Sequence, residues 1–479
     1  MNNILFIMAD QLRFDALGFV KKFPVKTPNI DRLAQNGTAF NNAYCSNPVC
    51  VPSRASIMTG VNSYDHGVYY NDQNWPDNMG TWPEKLAGNC YATTLIGKSH
   101  FFPCRKSAGF QKMILPEDFD HYQKKRGLAK KRIPGTVSDL DSLNRAYPIE
   151  PTDTPLEHYR PVYYTDKAIH ELDLMSRRRE CGDEGNEPFL MKVSYNLPHT
   201  PCNPPEPYFS MYKPGDIPPP VATEQELNHF SIQMKEFYEI WHQMDPDRLL
   251  KNRAQYFGCV TLIDEQIGRI LKKLQELGIY DNTLIILTAD HGEYLCDHHL
   301  QQKGSFYEPS VRIPLIFAGP GIQEGKMVKE NVSNIDIFPT VLDYCHLAMP
   351  RLRDEAGRLI YVDTHESDAM SLIPYLTTDG NEPVNPDRII ISENAMRGQR
   401  IMLKKGALKV NYYVNEGADN EIECYNLAED PDELNPRGSF FVGDLEPDMK
   451  QALEMVLQKS KRHAGGHYYF QGKVRPMFT

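Results

Sequence analysis

No stretch of about 18 consecutive apolar residues occurs anywhere in the 479-residue sequence, so nothing in it reads as a membrane span. The opening apolar run, residues 4–9, is too short for the core of a secretory leader, lacks a basic lead and passes straight into Asp10 and Gln11. It reads as a buried strand, and the chain as given carries the expectation of a cytoplasmic protein, or of a periplasmic one if a leader precedes it. Basic charge is not in surplus: 52 Lys and Arg stand against 63 Asp and Glu, a net charge of -11. That balance excludes a nucleic-acid binder whose affinity rests on neutralising phosphates, and it requires any anionic substrate to meet a local positive site. The basic cluster Lys124, Lys125, Arg126, Lys130, Lys131 and Arg132 reads as a solvated loop face. CxxC pairs are also missing. The 10 cysteines are scattered singly through a chain far larger than disulfide-stapled scaffolds, which points to reduced, structural thiols with one exception taken up below. Low-complexity tracts are absent, and 24% charged with 41% hydrophobic residues describes an ordinary globular protein.

What is present is alternation. Apolar, β-rich runs at residues 4–9, 93–97, 189–196, 283–289 and 314–318 predict interior strands. Between them, Val260, Ile263, Ile267, Ile270, Leu274 and Leu277 recur at helical spacing and stop at Gly278. A second helical pattern runs from Pro28 through Ile30 and Leu33 to Gly37. Strands alternating with helices predict an α/β fold, a large and mainly parallel sheet sandwiched by helices, over residues 1–384. Past residue 385 the texture changes: residues 388–392, 400–403, 408–414 and 421–427 read as a short antiparallel sheet before a final helix around residues 449–460. Residues 385–479 are therefore assigned to a smaller C-terminal α+β subdomain and tail. The proline-rich residues 201–220 form a surface excursion, and the tail from His463 is a candidate contact for a homo-oligomer or a local wrap.

Polar residues able to do chemistry recur just past the predicted strands: Asp10 and Gln11, Lys98 and His100, His199, and Asp290 with His291. In an open parallel sheet the ligand crevice lies at the carboxyl ends of the strands, so residues spread over nearly 300 positions can converge on one pocket. The segment from Cys50 through Pro52, Ser53, Arg54 and Thr59 to Gly60 adds a nucleophile. Proline near its start and glycine at its end suit a helix, which places Cys50 at a helix N-terminus, where free amides and the helix dipole favour an anion. Arg54 lies one turn in and adds a fixed positive charge.

This segment resembles the signature C-x-P-S-R-x-x-x-L-T-G of the type I sulfatases of the alkaline phosphatase superfamily, with Met58 in place of the leucine. Asp10-Gln11 resembles the family's first metal-binding pair, Gly97-Lys98-Ser99-His100 its G-K-x-H, and Pro198-His199 its P-H. Asp290-His291-Gly292-Glu293 with Asp297, His298, Lys303, Tyr307-Glu308 and Arg312-Ile313-Pro314 resembles its second large block. The likeness runs from residue 3 to about 345 and continues loosely through Tyr425-Asn426-Leu427 and Asp430-Pro431.

The resemblance implies that a formylglycine-generating enzyme converts Cys50 to formylglycine (3-oxoalanine). The hydrated aldehyde offers two hydroxyls on one carbon, one to attack sulfur and the other to expel sulfate, so no water need reach the hindered sulfur. It further implies one divalent metal held by Asp10, Gln11, Asp290 and His291 together with position 50, with Ca2+ as the first expectation from oxygen-rich ligation. Many relatives carry Asp where Gln11 stands and Asn where His291 stands; the nitrogen ligand keeps Mn2+ open beside Mg2+. Arg54 and Lys98 are expected to hold the formylglycine hydroxyls and His100 to act as base. Lys303 and His199 are expected to bind sulfate oxygens, one of them protonating the departing alcohol. Asn71 is a candidate sulfate contact or a turn asparagine. His298 and His299 are placed outside the direct contacts, and Thr200 is read as a loop residue.

The expected activity is hydrolysis of a sulfate ester, with a sulfated carbohydrate as the first substrate class, by analogy with the family; aryl sulfate, choline sulfate and sulfamate stay open. Trp75, His121 and Tyr122 are expected on the rim for stacking. One rival is a phosphonate monoester or phosphodiester hydrolase of the same superfamily, which also uses formylglycine and a glutamine at the Gln11 position but lacks the Lys98-Ser99-His100 pairing. The other is a non-catalytic sulfate-binding pseudoenzyme. No nucleic acid or membrane partner is expected.

Overall fold

The computed structural model describes residues 1–77, 79–128, 146–180, 187–347, 351–353, 359–361, 368–377, 387–395, 398–415, 417–438, 440–461, 467–470 and 473–476. A nine-stranded sheet dominates it, built from β1 (Asn3–Asp10), β2 (Gly37–Tyr44), β3 (Ala92–Gly97), β4 (Lys112–Ile114), β5 (Phe189–Pro198), β6 (Thr283–Ala289), β7 (Arg312–Ile313), β8 (Leu315–Ala318) and β9 (Lys326–Ser333). Its order is β4-β3-β5-β1-β6-β8-β2-β7, with β9 beside β2. β1 and β6 are buried along their whole length, which is why they read as continuous apolar runs rather than as alternating ones. The chain between residues 312 and 318 turns back: β8 runs antiparallel to both β6 and β2, and β7 antiparallel to β2. The other strands share one direction, so the expected mainly parallel sheet is present with this local reversal.

The helical pattern ending at Leu277 belongs to the helix Pro246–Glu276, longer than its apolar stripe alone predicts because Asp245 accepts from the Asp247 amide at its start. It packs on β5, on the helix Arg160–Glu180 and on α1 (Pro28–Gln35). The short helices Trp82–Ala87 and Ile337–Tyr344 pack together with α2 (Cys50–Thr59). The main core is one continuous cluster that takes in β1, β5, β6 and these helices.

Two short strands, β10 (Arg351–Arg353) and β11 (Leu359–Tyr361), pair with each other. The separate antiparallel sheet expected near the C-terminus has four strands in sequence order: β12 (Ile389–Asn394), β13 (Arg400–Lys405), β14 (Leu408–Tyr413) and β15 (Glu421–Asn426). The helix Pro447–Ser460 packs against β13. Arg400 on β13 donates to the Gly304 carbonyl at 2.7 Å, and Lys409 on β14 pairs with Glu308 at 2.9 Å, so the small sheet braces the segment that carries Lys303. The tail, a candidate for a subunit contact or a local wrap, includes a hairpin of β16 (His467–Phe470) and β17 (Lys473–Pro476), with residues 462–466, 471–472 and 477–479 outside the described residues. Lys130, Lys131 and Arg132 of the basic cluster also lie outside them. No described helix is long and apolar enough to cross a membrane.

Candidate active site

Four adjacent parallel strands, β3, β5, β1 and β6, deliver their carboxyl ends side by side, with Asp10 opposite Pro198, Ala9 opposite Ala289 and Gly97 opposite Ser194. The residues that follow, Lys98, His199, Gln11 and Asp290, are thereby gathered at one edge, as the crevice argument requires. Gly97 makes the exit of β3 possible. Its φ is +100°, and a Cβ there would lie 2.0 Å from the Ser194 carbonyl oxygen.

α2 begins at Cys50, after the extended Val49, and closes at Gly60, whose φ of +73° and close approach to Phe338 leave no room for a side chain. Every residue of α2 is buried. The Cys50 sulfur lies 3.1 Å from His291 Nε2 and 3.7 Å from Asp10 Oδ1. Asp10, Cys50, Asp290 and His291 each offer one donor atom, all within 4.8 Å of one another and all buried. His291 Nδ1 faces the Gly292 carbonyl at 2.9 Å; donation there leaves Nε2 as the free lone pair aimed at the cluster. Two buried carboxylates, an imidazole nitrogen and position 50 suit a divalent cation in charge and donor type.

Cations surround this group. Arg54 donates through Nε to Asp290 Oδ2 at 2.8 Å and through Nη1 to the Lys98 carbonyl and the Ser194 hydroxyl, while Nη2 stands 3.3 Å from Asp10 Oδ2. Lys98 Nζ pairs with Asp10. Burial and Cys50 push the Asp10 carboxyl up, but Lys98, His199 and Arg54 outweigh them and bring it down to about 2. Burial likewise raises the Cys50 thiol, yet Lys303, Lys98 and His291 draw it well below its ordinary value. The position is therefore built for negative charge. Burial and then Lys98 lower the His100 imidazole, which suits a neutral base beside position 50.

Arg54 is fully buried between two carboxylates. Arg54→Ala is expected to cost the metal-free protein about 3 kcal/mol or more in denaturant unfolding, because it leaves the buried Asp290 without its cation and Asp10 with Lys98 alone, and less when a divalent ion is supplied. A loss under about 1 kcal/mol in metal-free protein contradicts this charge balance.

Opposite lies a second pair. Lys303 Nζ donates to His199 Nε2 at 2.7 Å and to Gln11 Oε1 at 2.5 Å, and His199 Nδ1 faces the Thr200 carbonyl at 2.7 Å. Gln11 donates its backbone amide to Asp290 Oδ1 at 3.0 Å and its side-chain Nε2 to Glu293. It stands beside the cluster with its carbonyl oxygen engaged by Lys303. Asn71 accepts from the Val51 amide at 3.0 Å, so its carbonyl serves the first turn of α2, and only its NH2 is left to meet substrate.

The structure also returns residues that motif reading passed over. Glu293 is buried, and burial raises its carboxyl to about 7 against the pull of the Leu295 amide, Lys303, the Gln302 amide and Gln11. Gln302 donates to the hydroxyls of Thr200 at 2.6 Å and Tyr147 at 3.1 Å. Glu293 closes the quoted Asp290-His291-Gly292-Glu293 block, which is a signal; Gln302 and Tyr147 have none in the sequence. The expected stacking role of Trp75 is overturned: it is 1% exposed, edge-on to Phe101 and under Lys106, since an indole of that size fills the core beside β3. Tyr122 is tied to His158 at 2.7 Å. Phe102, two residues past His100, is an exposed aromatic, at 47%. His298 stacks on Tyr307 and faces Glu226, away from the cluster residues.

A mixed α/β sheet with two carboxylates and an imidazole past its strand ends, meeting a buried cysteine at the start of α2, is an alkaline phosphatase-like arrangement with a candidate metal-binding cluster. The family model described as Sulfatase matches residues 2–347. The chain belongs to the sulfatase family, whose members are metal-dependent enzymes of the alkaline phosphatase superfamily. It is similar to an arylsulfatase of Clostridium perfringens, 33% identical over 372 residues that cover 73% of this chain and 76% of that protein. It is also similar to a choline-sulfatase of Rhizobium meliloti, 28% identical over 91% of this chain and 83% of that one. Among solved structures, the phosphonate monoester hydrolase of Agrobacterium radiobacter shares the fold with a TM-score of 0.78 at 24% identity, covering 99% of both chains.

Proposed function

We propose that the protein hydrolyses a sulfuric ester of a carbohydrate and releases inorganic sulfate, with Cys50 converted to formylglycine and one divalent ion, Ca2+ by its oxygen-rich donors, at Asp10, Gln11, Asp290 and His291. The observation that carries the reading is the buried convergence of Cys50 with Asp10, Asp290 and His291 among Arg54, Lys98 and Lys303. Formylglycine would supply the attacking hydroxyl, and the ion would neutralise charge on the sulfate. Arg54 and Lys98 orient the group at position 50, and His100 takes a proton from it. Lys303 meets sulfate oxygens and shares an ammonium proton with His199 Nε2, while His199 Nδ1 donates to the Thr200 carbonyl; His199 takes that proton from Lys303 and delivers it from Nε2 to the leaving oxygen, and solvent reprotonates Lys303.

Lys98 and His100 favour sulfate over a phosphonate ester, whose hydrolases lack this pair. A carbohydrate alcohol is favoured by the exposed face of Phe102, two residues past His100, which offers a sugar ring a surface to stack on.

The test is sulfate release from a panel of a sulfated sugar, choline sulfate and 4-nitrophenyl sulfate, set beside a phosphonate monoester. Highest kcat/KM on the sugar supports the reading; preference for choline sulfate or for the phosphonate overturns the substrate class. His199→Ala is expected to lower kcat about 10²–10⁴-fold on the alkyl sulfate but far less on 4-nitrophenyl sulfate, whose phenolate leaves without a proton. Equal losses on both would remove His199 as the acid. Lys303→Ala is expected to lower turnover about 10²–10³-fold on both.

A further inference from the structure

Gln302 has a φ of +68°, a left-handed conformation that side chains adopt at a cost and that glycine adopts freely. Its backbone is held there from both sides, the amide donating to Glu293 and the carbonyl accepting from the Tyr294 amide at 2.9 Å. A glutamine in such a place carries a penalty that glycine would lift, so its side chain is where a compensating role must be sought.

That side chain is fully used. The two Nε2 hydrogens go to the Thr200 hydroxyl at 2.6 Å and the Tyr147 hydroxyl at 3.1 Å. Oε1 faces Lys303 Nζ at 3.4 Å and Gln11 Nε2 at 3.5 Å. Thr200 in turn offers its carbonyl to His199 Nδ1, while Lys303 donates to His199 Nε2. One amide thus reaches both partners of the same imidazole. We propose that Gln302 is a positioning residue that braces the His199–Lys303 pair from both ends, holding His199 Nδ1 on the Thr200 carbonyl and Nε2 on the Lys303 ammonium whose proton it relays, at the cost of a strained backbone. The inference rests on the assignment of His199 as the acid. Tyr147, buried and anchored through its carbonyl by Arg248 at 2.8 Å, is the fixed point against which the amide is held.

The experiment uses the full-length, formylglycine-containing enzyme with Gln302→Gly, Thr200→Val and the double variant. Gln302→Gly is expected to keep or raise the thermal midpoint while kcat on an alkyl sulfate falls about 10–100-fold, the usual loss when an orienting partner is removed. KM changes little, and the loss on 4-nitrophenyl sulfate is smaller. Gln302→Asn, whose amide suits φ > 0 but is one methylene short, behaves as the glycine does. Thr200→Val reproduces part of the kcat loss, and the double variant is no worse than Gln302→Gly alone, since both act through one chain of contacts. A kcat within about twofold of wild type, losses that add in the double variant, or a midpoint that falls together with kcat would each overturn the proposal. Wild-type enzyme that hydrolyses no sulfate ester would defeat the underlying assignment instead, and the midpoint of Gln302→Gly, which needs no turnover, still tests the strain.

Discussion

Cys50→Ala is expected to abolish turnover, with a loss of about 10⁴-fold or more, and to leave the fold in place. The size follows from removing a covalent nucleophile from a unit whose other members cannot substitute for it. The intact fold follows from the packing: Cys50 is buried at the first position of α2, where its sulfur meets only polar site groups rather than apolar core, so alanine removes a small anionic contact and no large contact surface. Loss of the negative charge at position 50 leaves Arg54, Lys98 and Lys303 less neutralised and is expected to make the variant somewhat less stable, which added sulfate offsets. Retention of more than a few per cent of the activity, with the same substrate preference, contradicts the assignment of position 50.

Stripping divalent metal has an effect of comparable size. Asp10 and Asp290 present carboxylates within 4.8 Å of the other cluster atoms, in a fully buried place where such proximity is costly without a cation. The ion stabilises developing charge on the sulfate by several kcal/mol, so EDTA treatment is expected to lower kcat by about 10³-fold or more. Ca2+ restores it best if the oxygen donors dominate, and Mn2+ if His291 does. The thermal midpoint falls with the metal and returns with it, because an ion that binds only the folded state stabilises it. Full activity in chelator, with no shift of the midpoint, would remove the metal from the account.

Much of this is legible in the sequence. The strands that carry the site, β1, β5 and β6, are buried on both faces and so announce themselves as unbroken apolar runs, and their polar successors Asp10, His199 and Asp290 follow directly. The α2 segment declares its start and end through Cys50 and Gly60. Where the sequence misled, the reason was geometric. The reversal at β8 is invisible because a four-residue buried strand has the same composition in either direction. Trp75 looked available because nothing local distinguishes a rim indole from one that packs on Phe101. Gln302 and Tyr147 were missed because they act through contacts to residues 102 and 155 positions away. Nothing in the residue type marks a glutamine as left-handed.

The whole of α2 is buried, so an enzyme that modifies Cys50 must reach it before the chain folds around it. The most direct measurement is therefore the mass of the peptide containing Cys50, from protein co-expressed with a formylglycine-generating enzyme, taken together with sulfate release by the same preparation. We expect a peptide about 18 Da lighter than its cysteine form and turnover that scales with the modified fraction. An unmodified thiol in protein that hydrolyses sulfate esters at full rate would contradict the central claim.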